Sequence, residues 1–169
     1  MALGVCPKRK FVVSGSLGAR PDIIVWDSDT MNIVARNKLG RNTRAVSSIR
    51  FSKDGKLFFC TDKHNDSNVY CFKADTAELL GQNKCGSDPV FDGEAGDTSF
   101  AVATKRGVYF FEYSGGSLDQ KRGIFNGNPM APQIVITYNS DTKTFFSGTS
   151  QGDLYEWQGN TCIKSAKVH

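Results

Sequence analysis

The chain has 169 residues, a formal net charge of +4 at pH 7 and 39% hydrophobic residues. This composition is too apolar for a disordered chain, and the length suffices for one domain with its own core. No apolar run approaches the ~20 residues of a membrane-spanning helix, and the start Met1–Cys6 is too short and too soon basic for a signal peptide. The five cysteines are an odd number and lie mostly in strand-like segments, so we expect reduced core thiols and a cytoplasmic location.

Strand-like segments separated by turn residues follow one another from the N-terminus. They are rich in Phe, Val, Ile, Tyr and Thr, which favour strands, and Asp54-Gly55 between two apolar runs indicates a hairpin. The strands predicted in the first half are Leu3–Pro7, Phe11–Ser16, Ile23–Asp27, Asn32–Leu39, Ala45–Ser52, Leu57–Thr61, Asn68–Lys73 and Glu78–Lys84.

The second half continues the plan, with one irregular segment at Pro89–Phe91, which makes a poor strand. No segment keeps a helical apolar stripe for three turns, so we expect an all-β protein. The strands predicted here are Pro89–Phe91, Ser99–Thr104, Gly107–Tyr113, Ser117–Phe125, Ile134–Tyr138, Thr144–Thr149, Asp153–Trp157 and Thr161–Lys167.

An aromatic residue recurs at the same place in the third strand of each unit. These repeat anchors are Trp26, Phe72, Phe111 and Trp157, which lie 46, 39 and 46 residues apart. A strand repeat of roughly 40–45 residues is typical of β-propeller blades. We therefore predict about four four-stranded antiparallel blades, with approximate bounds 1–40, 41–86, 87–130 and 131–169.

Four blades make a partial propeller, because blades of this kind are wedged for larger rings and seal their faces only by stacking. An open array would expose two blade faces, each with on the order of several hundred Å² of apolar surface. We expect two copies to pair as a homodimer, forming an oligomer-completed ring of eight blades.

Residues with catalytic or metal-binding chemistry are few. His64 is the only internal histidine, and Ser14-Gly15-Ser16 lacks the setting of a nucleophile elbow. His64-Asn65-Asp66 has no second ligand cluster, and Gly115-Gly116 is a hairpin turn rather than a phosphate-binding loop. We therefore expect no enzyme activity, no metal and no cofactor.

Positive charge is uneven between the two rims of the predicted blades. One rim, formed by the second-to-third-strand loops and the connections between blades, carries the candidate partner-binding residues Arg20, Arg41, Arg44, Lys63, His64, Lys105 and Arg106. The opposite rim mixes lysines with aspartates. Converging cations would attract an acidic protein surface, although a merely solvated surface is the alternative. Nucleic acid is not expected, because the basic residues are not interleaved with exposed aromatics.

Several strings resemble known repeats. Val13–Ser16 and Ile24–Asp27 are similar to WD repeats, and three longer strings resemble the echinoderm microtubule-associated-protein-like family. The longer strings are Arg44–Lys53 (RAVSSIRFSK), Gly115–Phe125 (GGSLDQKRGIF) and Ser147–Trp157 (SGTSQGDLYEW).

The resemblance covers essentially the whole chain and implies a cytoskeletal protein whose partner, tubulin, is acidic. A general WD-type scaffold of a ciliary or signalling complex is the alternative. The chain departs from regular WD repeats, because no Gly-His dipeptide opens a unit and only Trp26-Asp27 keeps the Trp-Asp ending. The buried Asp–His–Ser/Thr–Trp network of those repeats is therefore not expected.

Overall fold

The computed structural model describes residues 1–8, 10–40, 42–63 and 67–169. These residues form sixteen strands in four separate antiparallel sheets, each pairing its strands in chain order. The first two sheets, blades 1 and 2, contain β1 (Ala2–Val5), β2 (Phe11–Gly15), β3 (Asp22–Asp27), β4 (Ile33–Lys38), β5 (Val46–Phe51), β6 (Leu57–Asp62), β7 (Ser67–Lys73) and β8 (Leu79–Gly86).

Blades 3 and 4 repeat this arrangement. They contain β9 (Val90–Ala95), β10 (Ser99–Thr104), β11 (Gly107–Ser114), β12 (Ser117–Arg122), β13 (Gln133–Asn139), β14 (Thr144–Thr149), β15 (Asp153–Gln158) and β16 (Thr161–Lys167). The predicted all-β class and the four four-stranded blades are confirmed. The described part of the chain contains no helix that is long and apolar enough to cross a membrane.

Strand β9 is longer than the predicted segment Pro89–Phe91, because it continues through Asp92-Gly93-Glu94. Gly93 pairs with Val102, and a Cβ there would lie 2.6 Å from the Phe100 ring. The glycine therefore makes room for an aromatic side chain inside the blade.

Strand β12 ends at Arg122, although the sequence predicted a strand to Phe125. The Gly123 amide still donates to the Val108 carbonyl at 2.8 Å, and Ile124 then pairs in parallel with Thr161 of blade 4. The chain leaves its own blade at this point because its backbone hydrogen bonds pass to the next one.

Every blade has a front face toward the preceding blade and a back face toward the following one. Successive blades contact through their innermost strands, β1 with β5, β5 with β9 and β9 with β13. At the first interface, Val13 and Val25 of blade 1 share a core with Phe58, Cys60 and other residues of blade 2. Gly4 of β1 permits the close packing of these inner strands, since a Cβ there would lie 2.6 Å from Ile49 of β5.

The four repeat anchors occupy equivalent places on the front faces. Trp26 pairs with Val12, as Phe72 pairs with Phe58, Phe111 with Phe100 and Trp157 with Phe145. Three anchors are at most 1% exposed, whereas Trp26 is only half-buried. The difference arises because none of the described blades packs against the front of blade 1.

The described sheets do not close into a ring, so the array ends in two uncovered faces. Leu3 and Val5 on the front of blade 1 are 57% and 65% exposed, while the corresponding Ile49 and Phe51 of blade 2 are 1% and 5% exposed. On the back of blade 4, Val135 and Leu154 are also exposed. Both uncovered faces therefore expose apolar side chains at positions that are equivalent to those buried in the three internal interfaces.

All five cysteines are buried, in agreement with the expected core thiols. Burial raises the pKa of Cys71 and of Cys85 to about 12. Because the thiolate is the nucleophilic form, these thiols are chemically inert near neutral pH.

We predict unequal effects from truncating the two tryptophan anchors. Trp157→Ala should lower the free energy of unfolding by about 3–5 kcal/mol, because it empties a closed core. Trp26→Ala should cost clearly less, since its side chain is already partly in water. Urea unfolding at a concentration where the chain is monomeric measures both values. A Trp157→Ala cost below about 1 kcal/mol would contradict the packing role of this anchor.

Candidate functional site

The upper rim consists of the second-to-third-strand loops and the connections between blades. Its first part is held together by backbone pairing, because Leu17 bridges Ala45 and the Gly18 amide donates to the Arg44 carbonyl at 2.9 Å. The Lys63 amide donates to the Ala45 carbonyl, also at 2.9 Å. A loop of blade 1, the connection to blade 2 and a loop of blade 2 therefore form one continuous surface.

Five of the seven predicted partner-binding residues lie on the described part of this rim. Arg41 and His64 lie outside the described residues. Arg44 and Lys63 line the same cleft, which has a volume of about 600 Å³. Arg20 lies beside it, because its amide donates to the Thr43 carbonyl at 3.3 Å.

Lys105 and Arg106 belong to the next loop around the rim, between β10 and β11, and do not line this cleft. The Arg106 guanidinium forms an ion pair with the largely buried Asp88 carboxylate, at 3.3 Å from Nε to Oδ2. Lys105 is exposed.

Most of the positive charge on the described part of the rim is not neutralised locally. Within the described residues, Arg20, Arg44, Lys63 and Lys105 form no ion pair, and all four side chains are exposed. Exposed cations on adjacent loops add their potentials, which favours encounter with a negatively charged surface.

Sequence reasoning did not identify the buried carboxylate that lines the cleft. Asp62 is 1% exposed, and its Oδ2 accepts hydrogen bonds from the Tyr70 hydroxyl at 2.9 Å and the Thr43 hydroxyl at 3.3 Å. The Asn68 amide donates to Oδ1 at 2.7 Å. The only sequence signal was an Asp directly after the apolar strand Leu57–Thr61.

This network ties β6 and β7 to the connection between blades 1 and 2. Burial, aided by the Asp62 carboxylate, raises the pKa of the Tyr70 phenol well above its usual value. The hydroxyl therefore remains a hydrogen-bond donor. A carboxylate that accepts several hydrogen bonds orders the loops, so Arg44 and Lys63 project from a rigid base.

Blade 4 contains part of the buried polar network of regular WD repeats, which was not expected from the sequence. The Trp157 indole donates to the Ser147 hydroxyl at 2.7 Å, and that hydroxyl donates to Gln133 Oε1 at 2.6 Å. The Gln133 amide then donates to the Ala131 carbonyl at 2.9 Å. No histidine takes part, because the amide of Gln133 both accepts and donates.

The loop that follows β12 contains one buried aromatic side chain and one exposed methionine. Phe125 is 8% exposed and contacts the Trp157 ring edge-on, with centroids 5.2 Å apart. Met130 is 64% exposed. The aromatic residue therefore packs in the interface between blades 3 and 4.

The cleft has the chemistry of a binding surface. Its remaining lining consists of three serines together with Ala45, Pro89 and Val90. Across the described residues, no group of three or more His, Cys, Asp or Glu side chains could hold a metal ion. The weak metal candidate His64-Asn65-Asp66 lies outside those residues.

The fold and this rim define an open array of WD40-type β-propeller blades. The chain superimposes on the β-propeller domain of Cps50 (Swd1) from Myceliophteria thermophila with a TM-score of 0.74 and 16% identity, covering 99% of this chain and 55% of that one. Against the RRP9 WD40 repeats the TM-score is 0.73 at 15% identity, over 98% of this chain and 48% of that one. No family model matches the sequence.

The resemblance seen in the sequence is confirmed by the curated relatives. Human echinoderm microtubule-associated protein-like 1 is 28% identical over 94% of this chain and 21% of its own length. The 77 kDa echinoderm microtubule-associated protein of Strongylocentrotus purpuratus is 31% identical over 87% of this chain and 22% of its own length. The chain thus spans about a fifth of these relatives.

We predict that Tyr70→Phe lowers the free energy of unfolding by about 1–3 kcal/mol, because it removes a hydrogen bond to a buried carboxylate. Tyr113→Phe is the matched control, since the Tyr113 hydroxyl has no partner among the described residues; its effect should stay within about 0.5 kcal/mol. Thermal and urea unfolding measure both variants. Equal effects would show that the network does not stabilise the rim.

Proposed function

We propose that this chain is a non-catalytic interaction scaffold of the cytoplasmic cytoskeleton that binds an acidic, microtubule-type partner through its upper rim. The single observation that carries the proposal is a set of exposed cations that have no ion-pair partner among the described residues and lie on loops held by mutual hydrogen bonds. Similarity to proteins named as microtubule-associated supports tubulin as the partner. The curated relatives are named for association with microtubules, and the solved neighbours are named only as a β-propeller domain and as WD40 repeats.

Electrostatics explains how such a rim would work. Cations on adjacent loops would raise the association rate with a negatively charged surface, and salt would weaken the attraction over a Debye length of about 8–10 Å. The cleft between Arg44 and Lys63 gives the partner a concave place to dock, with the exposed Ser87 hydroxyl beside it.

We expect the double variant Arg44→Glu/Lys63→Glu to bind purified tubulin at least about tenfold more weakly at low salt, because two attractions become repulsions. Lys56→Glu/Lys73→Glu makes the same change in net charge at the opposite end of the blades, where both side chains are exposed, and should bind as the parent chain does. A pull-down with soluble tubulin at low and high salt provides the measurement.

Equal weakening in both double variants would mean that only net charge matters, which would contradict a specific rim. If the parent chain fails to bind tubulin at either salt concentration, the scaffold serves another assembly, such as a ciliary or signalling complex.

We also propose that two copies of the chain pair through their uncovered blade faces. The three internal interfaces show what covers such a face, because each front face bearing an aromatic anchor packs on the back of a blade. Trp26 and Val5 lie on an uncovered front face, while Phe146 and Leu154 lie on an uncovered back face. One copy's blade 4 would cover the other's blade 1, and the same contact repeated would make a two-fold ring.

Substitutions on the two faces test this geometry by light scattering. Val5→Glu and Val135→Glu should each convert the dimer to a monomer, because a charge would be buried in both contacts. Met130→Glu, at an exposed loop position off both faces, is the control and should remain dimeric.

Mixing the Val5→Glu and Val135→Glu proteins should restore a weaker dimer, because one of the two contacts is then unmodified on both sides. A monomeric parent chain would refute pairing, whereas a dimer insensitive to either substitution would refute this interface.

A further inference from the structure

A second cleft, also about 600 Å³, opens at the opposite end of the blades. This lower groove is formed by the first-to-second-strand turns of blades 1 and 2 and the third-to-fourth-strand turn of blade 2, together with Leu80 of β8 and Tyr113 of blade 3. Its charged lining residues are Lys8, Lys10, Lys56 and Lys73 with Asp54 and Asp75. The proposed rim function makes no use of it.

The walls of the lower groove are held in place by turn contacts. Asp54 Oδ1 accepts hydrogen bonds from the Ser52 hydroxyl at 2.7 Å and the Lys56 amide at 2.9 Å. The Ala74 amide donates to the Lys56 carbonyl at 2.9 Å, which ties the two turns of blade 2 together. A ligand would therefore meet a largely preformed site, which lowers the entropy cost of binding.

Packing between blades adds to this rigidity. Gly55 has φ of +73°, and a Cβ there would lie 2.7 Å from Cys6 Sγ of blade 1. The turn of blade 2 therefore lies directly against the turn of blade 1, and the two form one wall.

The floor of the groove is apolar and accessible. Phe11, Leu57, Leu80 and Tyr113 line it, and the last three are half-buried rather than sealed in the core. A volume of this size lies within the usual range of about 300–1,000 Å³ for ligand pockets. It can hold one large apolar side chain together with neighbouring backbone.

The rim of the groove has more positive than negative charge. Lys56 pairs with Asp54 at 3.7 Å and Lys73 with Asp75 at 3.6 Å, and all four side chains are well exposed. Among the described residues, Lys8 and Lys10 form no ion pair, and the Lys10 ammonium lies 5.1 Å from the centroid of Phe11. Four lysines against two aspartates leave a surplus of two positive charges, carried by Lys8 and Lys10.

We propose that the lower groove binds an acidic peptide segment that carries one aromatic side chain. The aromatic ring packs on Leu57, Leu80 and Tyr113, and flanking carboxylates pair with Lys8 and Lys10. An apolar floor beneath unpaired cations selects a ligand that has both properties. An anion without an apolar group would leave the floor in water, and an apolar ligand without negative charge would leave the lysines unmatched.

Fluorescence anisotropy with labelled synthetic peptides tests the proposal on the whole chain. The probe is a fluorescein-labelled Glu-Asp-Phe-Glu-Asp peptide, compared with the same peptide carrying Gly for Phe and with Lys-Arg-Phe-Lys-Arg. We expect the acidic Phe peptide to bind at least about tenfold more tightly than either comparison peptide, a difference of about 1.4 kcal/mol. Equal affinity for the Phe and Gly peptides would overturn the role of the apolar floor.

Substitutions in the lower groove test whether the peptide binds there. Lys8→Glu/Lys10→Glu and, separately, Leu80→Gln should each weaken binding of the acidic Phe peptide about tenfold or more. These side chains are exposed or half-buried, and unchanged urea unfolding would show that the fold is intact. Unchanged peptide affinity in both variants would overturn the proposal.

The upper-rim variant Arg44→Glu/Lys63→Glu separates this proposal from the proposed rim function. This variant should bind the peptide with the affinity of the parent chain but should no longer bind tubulin. If it loses the peptide and the lower-groove variants do not, the peptide binds at the upper rim and the lower-groove proposal fails. If tubulin binding is absent but the peptide still responds to Lys8→Glu/Lys10→Glu, only the rim function fails.

Discussion

Burial of an aromatic anchor between adjacent blades is the interaction on which the rest of this structure depends. Phe58 and Phe72 stack with centroids 5.0 Å apart in one interface, and Phe110, Phe125 and Trp157 meet in another. Apolar burial of this kind supplies most of the favourable free energy in a repeat array, and each blade depends on its neighbour for it. The exposure of Leu3, Val5 and Trp26 at the end of the array follows from the same dependence.

The two rims are consequences of that stacking. Because successive blades are held side by side, a loop of one blade can hydrogen-bond to the connection that leads into the next, as Gly18 does with Arg44. The buried Asp62 then connects Thr43, Asn68 and Tyr70 beneath the exposed cations. At the other end, turn contacts such as that of Cys6 with Gly55 form the lower groove. Rigid sheets thus position surface residues that are distant in sequence.

Most strand positions could be predicted because each strand combines β-forming residues with turn residues at its ends. The exceptions have tertiary causes. Strand β9 contains Gly93 because the Phe100 ring needs the space, and no local pattern reveals that need. Strand β12 ends early because Ile124 pairs with Thr161 of the next blade. Gln133 joins the Trp157 network although no repeat signature includes it.

The sequence by itself determined the all-β class, the repeat of four blades and the loops that carry basic residues, because these depend on local composition and periodicity. Only the tertiary structure decided which cations share a cleft and that Asp62 is buried below them. It also decided that Arg106 is paired with Asp88, while Lys63 has no ion-pair partner among the described residues. Such relationships depend on how neighbouring blades meet, which brings together residues from separate repeats. The sequence pattern of a single repeat does not predict which residues of the neighbouring blade it will contact.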